Sequence, residues 1–289
     1  MIGGLAVRNN LLCVTWSAGR GHVFLYDLEA RDRVSSWRLP VGSSGYSDAG
    51  GVAIDRNFRI FVADAHNHWV RRFNAFGQHL GDLGLATSGG RDHARDRAGV
   101  LDRPHAVAVH LERVYVTMGE QPRRRSVQCF HVDGRVLPGL SARGDAAQKW
   151  SAPRGVWADD RGVVVADTLR GRLQCFRGDG TFVHEGVMGQ AGARARPGHV
   201  ARLGDGTLLF VDHAEVRSRL VALRPDGTER SLAQLDGVLR DPLALAVDEQ
   251  QWTYVLDQDG ERVLRLTPDL QLDCVLIHLC EHDQDGPGT

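Results

Sequence analysis

Histidine and aspartate side chains stand close together in one polar loop of the sequence, where they could bind a metal ion. His66 and His68 are two residues apart, and Asp64 lies just before them. Imidazole nitrogens and carboxylate oxygens are the usual zinc ligands besides cysteine. A complete site would need further ligands from other parts of the chain, and no spacing in the sequence supplies them. We therefore interpret the pair as part of the loop and assign no metal to it.

Four aspartates occupy equivalent positions at the end of an apolar run. They are Asp64, Asp167, Asp212 and Asp257. A carboxylate at such a position can accept hydrogen bonds from backbone N–H groups of the following loop, and it can face an arginine such as Arg172 or Arg262. Because one catalytic site would not recur four times, we predict a structural turn role for these residues. No catalytic residue is assigned.

The elements that hold these residues form an internal repeat. In three copies, apolar residues stand six and nine positions after the aspartate. Six units of this kind start at similar apolar strands, at spacings of 44 to 55 residues, marked by Leu5, Val52, Val107, Val156, Val200 and Leu245. Each unit contains two apolar strands, an alternating third and a polar fourth, joined by turns such as Asp133-Gly134. The pattern predicts an all-β, six-bladed β-propeller with four antiparallel strands per blade.

The repeat also predicts the domain limits. A single propeller spans residues 1–280, and residues 281–289 form a polar C-terminal tail. The blades cover approximately residues 1–47, 48–98, 99–149, 150–194, 195–238 and 239–280. Every unit holds its own four strands, so we predict that blades one and six meet face to face without exchanging a strand. Such a closure should be a weak seam.

Composition limits the classes of partner. The chain has 289 residues, a net charge of -1 and a pI near 6.9, so no global field favours nucleic acid or an anionic membrane. Its five cysteines are odd in number and lie mostly in apolar strands, which is typical of buried free thiols. No apolar run approaches the roughly 18 residues that span a bilayer. We expect a soluble, cytoplasmic protein with no membrane insertion.

Two segments carry a family resemblance. Residues 62–70, Val-Ala-Asp-Ala-His-Asn-His-Trp-Val, preceded by Gly-Val-Ala-Ile-Asp at 51–55, closely resemble the NHL repeat. Residues 153–159, Pro-Arg-Gly-Val-Trp-Ala-Asp, leading into Val-Ala-Asp-Thr at 165–168, resemble it as well. Residues 89–104 look like the long loop between blades of many NHL proteins. The resemblance is strongest in units two and four, and it implies a six-bladed propeller.

The resemblance also points to the channel entrance, where the inner strands begin. Peptidyl-hydroxyglycine lyases, which look like NHL propellers, place zinc-binding histidines at these positions. His105 is in register with them, His199 is displaced by one residue, and Arg154 occupies another slot. Lactonase-like propellers bind calcium through an inward Glu/Asn/Asp set, which is not located here. We predict no cofactor, with zinc or calcium at the channel entrance as the alternative.

The loops between strands two and three, and between blades, share one side of a propeller. They are rich in arginine, and the densest cluster is Arg123, Arg124 and Arg125. Some NHL propellers bind RNA on such a face, but these loops lack the clustered aromatic residues that stack on bases. We expect a non-catalytic interaction module or scaffold that binds a protein partner through its loops. The alternatives are a metal-dependent lyase or hydrolase at the channel entrance, and an RNA-binding propeller.

Overall fold

The computed structural model describes residues 2–17, 20–42, 44–85, 97–118, 126–140, 150–187, 195–213, 217–232, 235, 237–258 and 261–279. Six antiparallel sheets of four strands account for most of this part of the chain. It contains no α-helix, although Thr168–Arg170 form a 3-10 turn, and therefore no helix long and apolar enough to cross a membrane. The predicted six-bladed β-propeller is confirmed.

Each blade is formed by four consecutive strands. Blade one holds β1–β4 at Ile2–Arg8, Leu11–Ser17, Gly21–Asp27 and Asp32–Arg38. Blade two holds β5–β8 at Ala49–Ile54, Ile60–Asp64, Trp69–Phe73 and His79–Leu83. Blade three holds β9–β12 at Pro104–His110, Arg113–Met118, Val127–His131 and Val136–Leu140.

The second half of the chain repeats this arrangement. Blade four holds β13–β16 at Pro153–Asp159, Gly162–Asp167, Arg172–Phe176 and Phe182–Val187. Blade five holds β17–β20 at Pro197–Arg202, Leu208–His213, Ser218–Leu223 and Glu229–Ser231. Blade six holds β21–β24 at Pro242–Val247, Thr253–Asp257, Arg262–Leu266 and Leu272–His278. Among the strands of the described residues, none is exchanged between the first and last blades, as predicted.

Burial falls from the inside of each blade to its outer edge. Every residue of β6 is buried, because neighbouring blades cover the strand on both faces. In the outer strand β4, exposed and half-buried residues alternate. Polar residues at an exposed edge discourage pairing with strands of another molecule. The polar fourth strand recognised in the sequence is therefore the outer rim of the disc.

The core lies between blades rather than in one centre. Six apolar clusters are buried, and each is shared by neighbouring blades. At the junction of blades one and six, Leu12 and Val14 belong to the same cluster as Tyr254 and Leu256. The closure thus depends on side-chain packing across the junction.

The cysteines contribute to this core. Cys13, Cys129 and Cys175 are buried free thiols, and Cys274 is a half-buried one. Burial is the main cause that raises the pKa of Cys129 to about 11. The thiols therefore act as small apolar side chains. Cys280 and the predicted tail at 281–289 lie outside the described residues.

Glycines let the inner strands approach each other near their beginnings. A Cβ atom on Gly51 would lie 2.7 Å from the Cα atom of Ala106 in the next blade. A Cβ atom on Gly155 would lie 2.0 Å from the carbonyl oxygen of Gly198. Backbone therefore meets backbone at these two blade junctions, and only glycine fits there. This close approach draws the inner strands together at one end of the channel.

Candidate functional site

Asp167 shows how the recurring aspartates are bound. Its carboxylate is completely buried and accepts hydrogen bonds from the backbone N–H groups of Ser151 and Ala152, both at 2.9 Å. It also accepts one from Arg172 Nε at 3.1 Å. Ser151 and Ala152 belong to the segment that enters the blade, and Arg172 begins the third strand. One carboxylate thus ties the loop between blades three and four to the start of the third strand of blade four.

The other three aspartates make equivalent contacts. Each accepts a hydrogen bond from a backbone N–H of the segment entering its blade and one from an arginine near the start of the third strand. The pairs are Asp64 with Asp48 N at 3.1 Å and Arg71 Nε at 3.0 Å, Asp212 with Arg196 N at 2.6 Å and Arg219 Nη2 at 2.9 Å, and Asp257 with Asp241 N at 2.7 Å and Arg262 Nε at 3.2 Å. We call this side of the disc, with the loops between blades and between second and third strands, the loop face.

His66 and His68 lie on the loop face but contact different loops. His66 Nε2 is 2.8 Å from Ser44 Oγ. His68 Nδ1 accepts a hydrogen bond from the backbone N–H of Arg103 at 3.0 Å and lies 3.4 Å from Asp102. Within the described part of the chain, no three His, Cys, Asp or Glu side chains are grouped to hold a metal ion.

His105 and Arg154 come together at the channel entrance. His105 Nδ1 is 3.2 Å from the carbonyl oxygen of Arg154, which also accepts a hydrogen bond from Thr117 Oγ1 at 2.9 Å. A carbonyl can only accept, so Nδ1 carries the proton and Nε2 keeps a lone pair. Burial, followed by the nearby charge of Arg154, lowers the pKa of His105 to about 4. The ring is therefore neutral at neutral pH.

His213, at the end of β18, is a third histidine that sequence reasoning missed. A Cβ atom on Gly198 would lie 2.3 Å from His213 Nε2, so this ring packs directly against the start of the inner strand β17. Burial, and then interaction with His105 and His213, lowers the pKa of His199 to about 3. The pKa of His213 is lowered mainly by burial. Burial is thus the main cause of the lowered pKa at all three imidazoles.

The low pKa values of His105 and His199 bear on the chemistry of these histidines. A general base works best when its pKa is near the working pH. At about 4 and about 3, the pKa values of His105 and His199 are too low for efficient proton abstraction at neutral pH. Neutral imidazoles remain good hydrogen-bonding groups and metal ligands. Arg154, which is exposed, adds a permanent positive charge beside them.

The central channel contains a cavity of about 460 Å³. Its walls are the second halves of the six inner strands and the turns that follow them. His199 lines this cavity, whereas His105 and Arg154 do not. It therefore extends away from the channel entrance towards the opposite side of the disc. We call that end, surrounded by the turns between first and second strands, the hairpin mouth.

Exposed apolar side chains occur on the loop face. Val41, Tyr46, Leu85 and Leu169 each leave about half of their surface exposed, and all four lie in loops of this face. Among them, Tyr46 is the aromatic one, at 58% exposed. The predicted arginine cluster Arg123, Arg124 and Arg125 lies outside the described residues.

These features define the chain as a six-bladed β-propeller with anchored loops on one face and a cavity in its channel. Solved structures of similar fold include a nidogen/laminin complex, with a TM-score of 0.64 and 16% identity over 91% of this chain and 92% of that one. A streptogramin B lyase has a TM-score of 0.63 and 13% identity over 94% and 81%. Virginiamycin B lyase from Staphylococcus aureus has a TM-score of 0.65 and 11% identity over 94% and 83%. At these identities the similarity shows the fold alone.

Neither the protein-family profiles nor the curated protein sequences include a match to this chain.

Proposed function

We propose that this chain is a non-catalytic interaction module that binds a protein partner through its loop face, as a scaffold or a subunit of a larger assembly. The observation that carries the proposal is the exposed pair Val41 and Tyr46 on the loop between blades one and two, a loop that the buried Asp64 anchors through the backbone N–H of Asp48. Binding residues concentrate on loops that a rigid scaffold positions.

Tyr46 is the best candidate for the centre of this interface. Its carbonyl oxygen accepts a hydrogen bond from Asn67 Nδ2 at 2.9 Å, and its ring centroid lies 5.9 Å from that of His66. Ser44, two residues earlier, contacts the same histidine. The loop is therefore held before a partner arrives, which reduces the entropy lost on binding. Tyrosine is also enriched among residues that dominate binding energy.

The structural neighbours are compatible with binding and with catalysis. They include a complex of two proteins and lyases. We favour binding because the loop between blades one and two presents Val41 and Tyr46 to the solvent on a backbone that Asp64 and Asn67 hold.

Affinity capture from the native host tests this proposal. The bait is the full chain, compared with the double variant Val41→Ser/Tyr46→Ser. The matched control is Val34→Ser, which removes a similarly exposed side chain from the outer strand β4. We expect a specific partner to be retained by wild type and control but lost with the double variant. A partner bound equally by all three proteins, or by none, would contradict the loop-face proposal.

The alternative is a metal-dependent lyase or hydrolase that uses His105, Arg154 and His199 at the channel entrance. The lowered pKa values of His105 and His199 are the observation in its favour, since neutral imidazole is the form that binds metal. Elemental analysis of purified protein separates the two proposals. Stoichiometric zinc or calcium that is lost in His105→Gln would favour the enzyme.

A second alternative is an RNA-binding propeller that uses Arg123, Arg124 and Arg125. Arginine contacts to phosphates release counterions, so such binding would weaken steeply with salt. Filter binding to RNA at two salt concentrations, with the triple Arg→Ala variant as comparison, tests this. A steep salt slope that the variant reduces would favour RNA over a protein partner.

A further inference from the structure

The exposed charges of the loop face are positive. Histidines apart, every exposed charged residue in the described part of its loops is an arginine: Arg20, Arg97, Arg103, Arg196, Arg217 and Arg240. The carboxylates of the same loop segments are half-buried, and they are Asp48, Asp102, Asp241 and Glu261. The chain as a whole has a net charge of -1. A nearly neutral chain thus presents a positive surface on the described part of this face.

Four exposed arginines lie on the loop face of blades four to six. Arg154 is the second residue of β13, and Arg196 directly precedes β17. Arg217 directly precedes β19, and Arg240 stands two residues before β21. Three of them therefore stand where inner strands begin, and the fourth stands at the start of a third strand. We call these four residues the arginine arc.

Interactions join the members of the arginine arc in pairs. Arg217 Nε donates a hydrogen bond to the carbonyl oxygen of Arg240 at 2.9 Å, so the loop within blade five touches the segment that enters blade six. His213 links the other two arginines. Burial is the main cause that lowers its pKa, and the charges of Arg154 and Arg196 lower it further. Both positive charges therefore reach the same imidazole.

Buried aspartates hold the backbone of the arc. The backbone N–H of Arg196 donates to Asp212 Oδ1 at 2.6 Å, and that of Arg240 donates to Asp257 Oδ1 at 3.0 Å. Both carboxylates are buried at the ends of second strands. The arginines thus project from fixed positions, which reduces the entropy that a partner must overcome on binding.

The guanidinium groups of the arc are available to a partner. Within the described residues none of the four forms an ion pair, and the hydrogen bond from Arg217 Nε goes to an uncharged carbonyl oxygen. By contrast, Arg71, Arg172 and Arg262 pair with the recurring aspartates. Guanidinium groups suit carboxylates and phosphates, because parallel N–H groups match two oxygens. The arc is therefore a surface for an anionic partner.

The surroundings of the arc favour an acidic protein segment over a nucleic acid. Arg20 continues the positive charge towards Tyr46, because the next residue, Gly21, donates its N–H to the carbonyl oxygen of Ser47 at 3.1 Å. Among Phe, Tyr and Trp residues of the described loops on this face, only Tyr46 is exposed. Single-stranded nucleic acids are usually bound by several stacking aromatic rings. A protein segment offers carboxylates to the arginines and apolar side chains to Tyr46 and Val41.

We propose that the protein partner contacts the arginine arc through an acidic segment, a run of Asp and Glu side chains. This inference rests on the proposed function, since it names the chemistry of the partner on the same loop face. Charge complementarity of this kind raises the association rate and excludes basic competitors.

The test uses a fluorescein-labelled twelve-residue peptide of alternating Asp and Glu as the probe, with the full chain as titrant. The matched control peptide alternates Asn and Gln. We expect saturable anisotropy changes with the acidic peptide, and binding of the neutral peptide that is weaker by ten-fold or more. Raising the ionic strength from 0.1 to 1 M shortens the screening length from about 10 Å to about 3 Å, so binding of the acidic peptide should fall steeply.

Variants localise the binding. The double variant Arg196→Gln/Arg240→Gln should weaken binding of the acidic peptide by about ten-fold, from about three-fold for each exposed charge pair. Its backbone contacts to Asp212 and Asp257 need no guanidinium, so the fold should be kept. The control Arg177→Gln/Arg224→Gln removes the same charge from exposed turns on the opposite side of the disc and should bind as wild type does.

The outcomes separate this inference from the proposed function. Equal affinity for the acidic and neutral peptides, or for wild type and the arc variant, would overturn it. Ten-fold tighter binding of a twelve-nucleotide oligouridine than of the acidic peptide would overturn it in favour of RNA. A captured partner that the Val41→Ser/Tyr46→Ser variant loses but the arc variant retains would also overturn it, while the proposed function stands. Failure to capture any partner contradicts the proposed function, and the peptide titration still decides the preference for acidic segments.

Discussion

Replacing Asp167 by alanine should destabilise blade four strongly. The substitution leaves the buried guanidinium of Arg172 without its main partner, and it leaves the backbone N–H groups of Ser151 and Ala152 without an acceptor. Removing one member of a buried ion pair costs about 3 to 5 kcal/mol. Arg172 still contacts Glu185 at 3.1 Å, so we expect the lower end, about 3 kcal/mol. The melting temperature should fall by roughly 6 to 12 °C.

Urea unfolding followed by circular dichroism measures this loss. A double-mutant cycle with Arg172→Met separates the ion pair from the hydrogen bonds to the backbone. If the pair matters, the double variant should be more stable than the sum of the two single losses predicts, by about 1 kcal/mol or more. A loss under about 1 kcal/mol for Asp167→Ala, or strict additivity, would refute the role derived for this carboxylate.

Three further predictions follow from the inner strands and the closure. The pKa of His105 is about 4 in the folded chain and near 6.5 in the unfolded chain, so the unfolded chain binds more protons between these two pH values. The free energy of unfolding should therefore fall as the pH drops from 6.5 to 4. The urea midpoints at pH 7.0 and pH 4.5 should differ less in His105→Gln than in wild type. Gly155→Ala should cost about 2 kcal/mol or more through its clash with Gly198, whereas Gly178→Ala, which meets nothing within 4 Å, should be neutral in the same urea assay. Amides of blades one and six should exchange with solvent faster than those of β14, and the highest protection in blade six would contradict a weak seam.

The sequence predicted the architecture because strand period, turns and repeat spacing are local properties. Six units with two apolar strands each can bury those strands when the sheets are arranged radially, and the structure contains six such four-stranded sheets. The structural role of the four recurring aspartates could be predicted for the same reason, because they occupy equivalent positions in the repeat. His213 was missed because it directly follows the recurring aspartate of blade five, at a position where the other blades with this aspartate have Ala65, Thr168 or Gln258. The available signal was a histidine at a position where these other blades have no titratable residue.

The cavity could not be predicted, because its chemistry depends on contacts between blades. Asp159 and Arg202 are 43 residues apart, and their pairing depends on how blades four and five pack. The position of the cavity also depends on the close approach at Gly51 and Gly155, which draws the strands together at their beginnings. Sequence reasoning therefore pointed to the channel entrance, whereas the cavity of about 460 Å³ extends towards the hairpin mouth.

The central claim is that the loop face binds a protein partner, and site-specific photocrosslinking tests it most directly. A benzophenone side chain replaces Tyr46 in one protein and Phe76 in another. Phe76 is 85% exposed and lies in the turn between β7 and β8, away from the loop face. After irradiation in the native host, we predict a discrete covalent adduct with one partner protein from position 46 and none from position 76. No adduct from position 46, or the same adduct from both positions, would contradict the account.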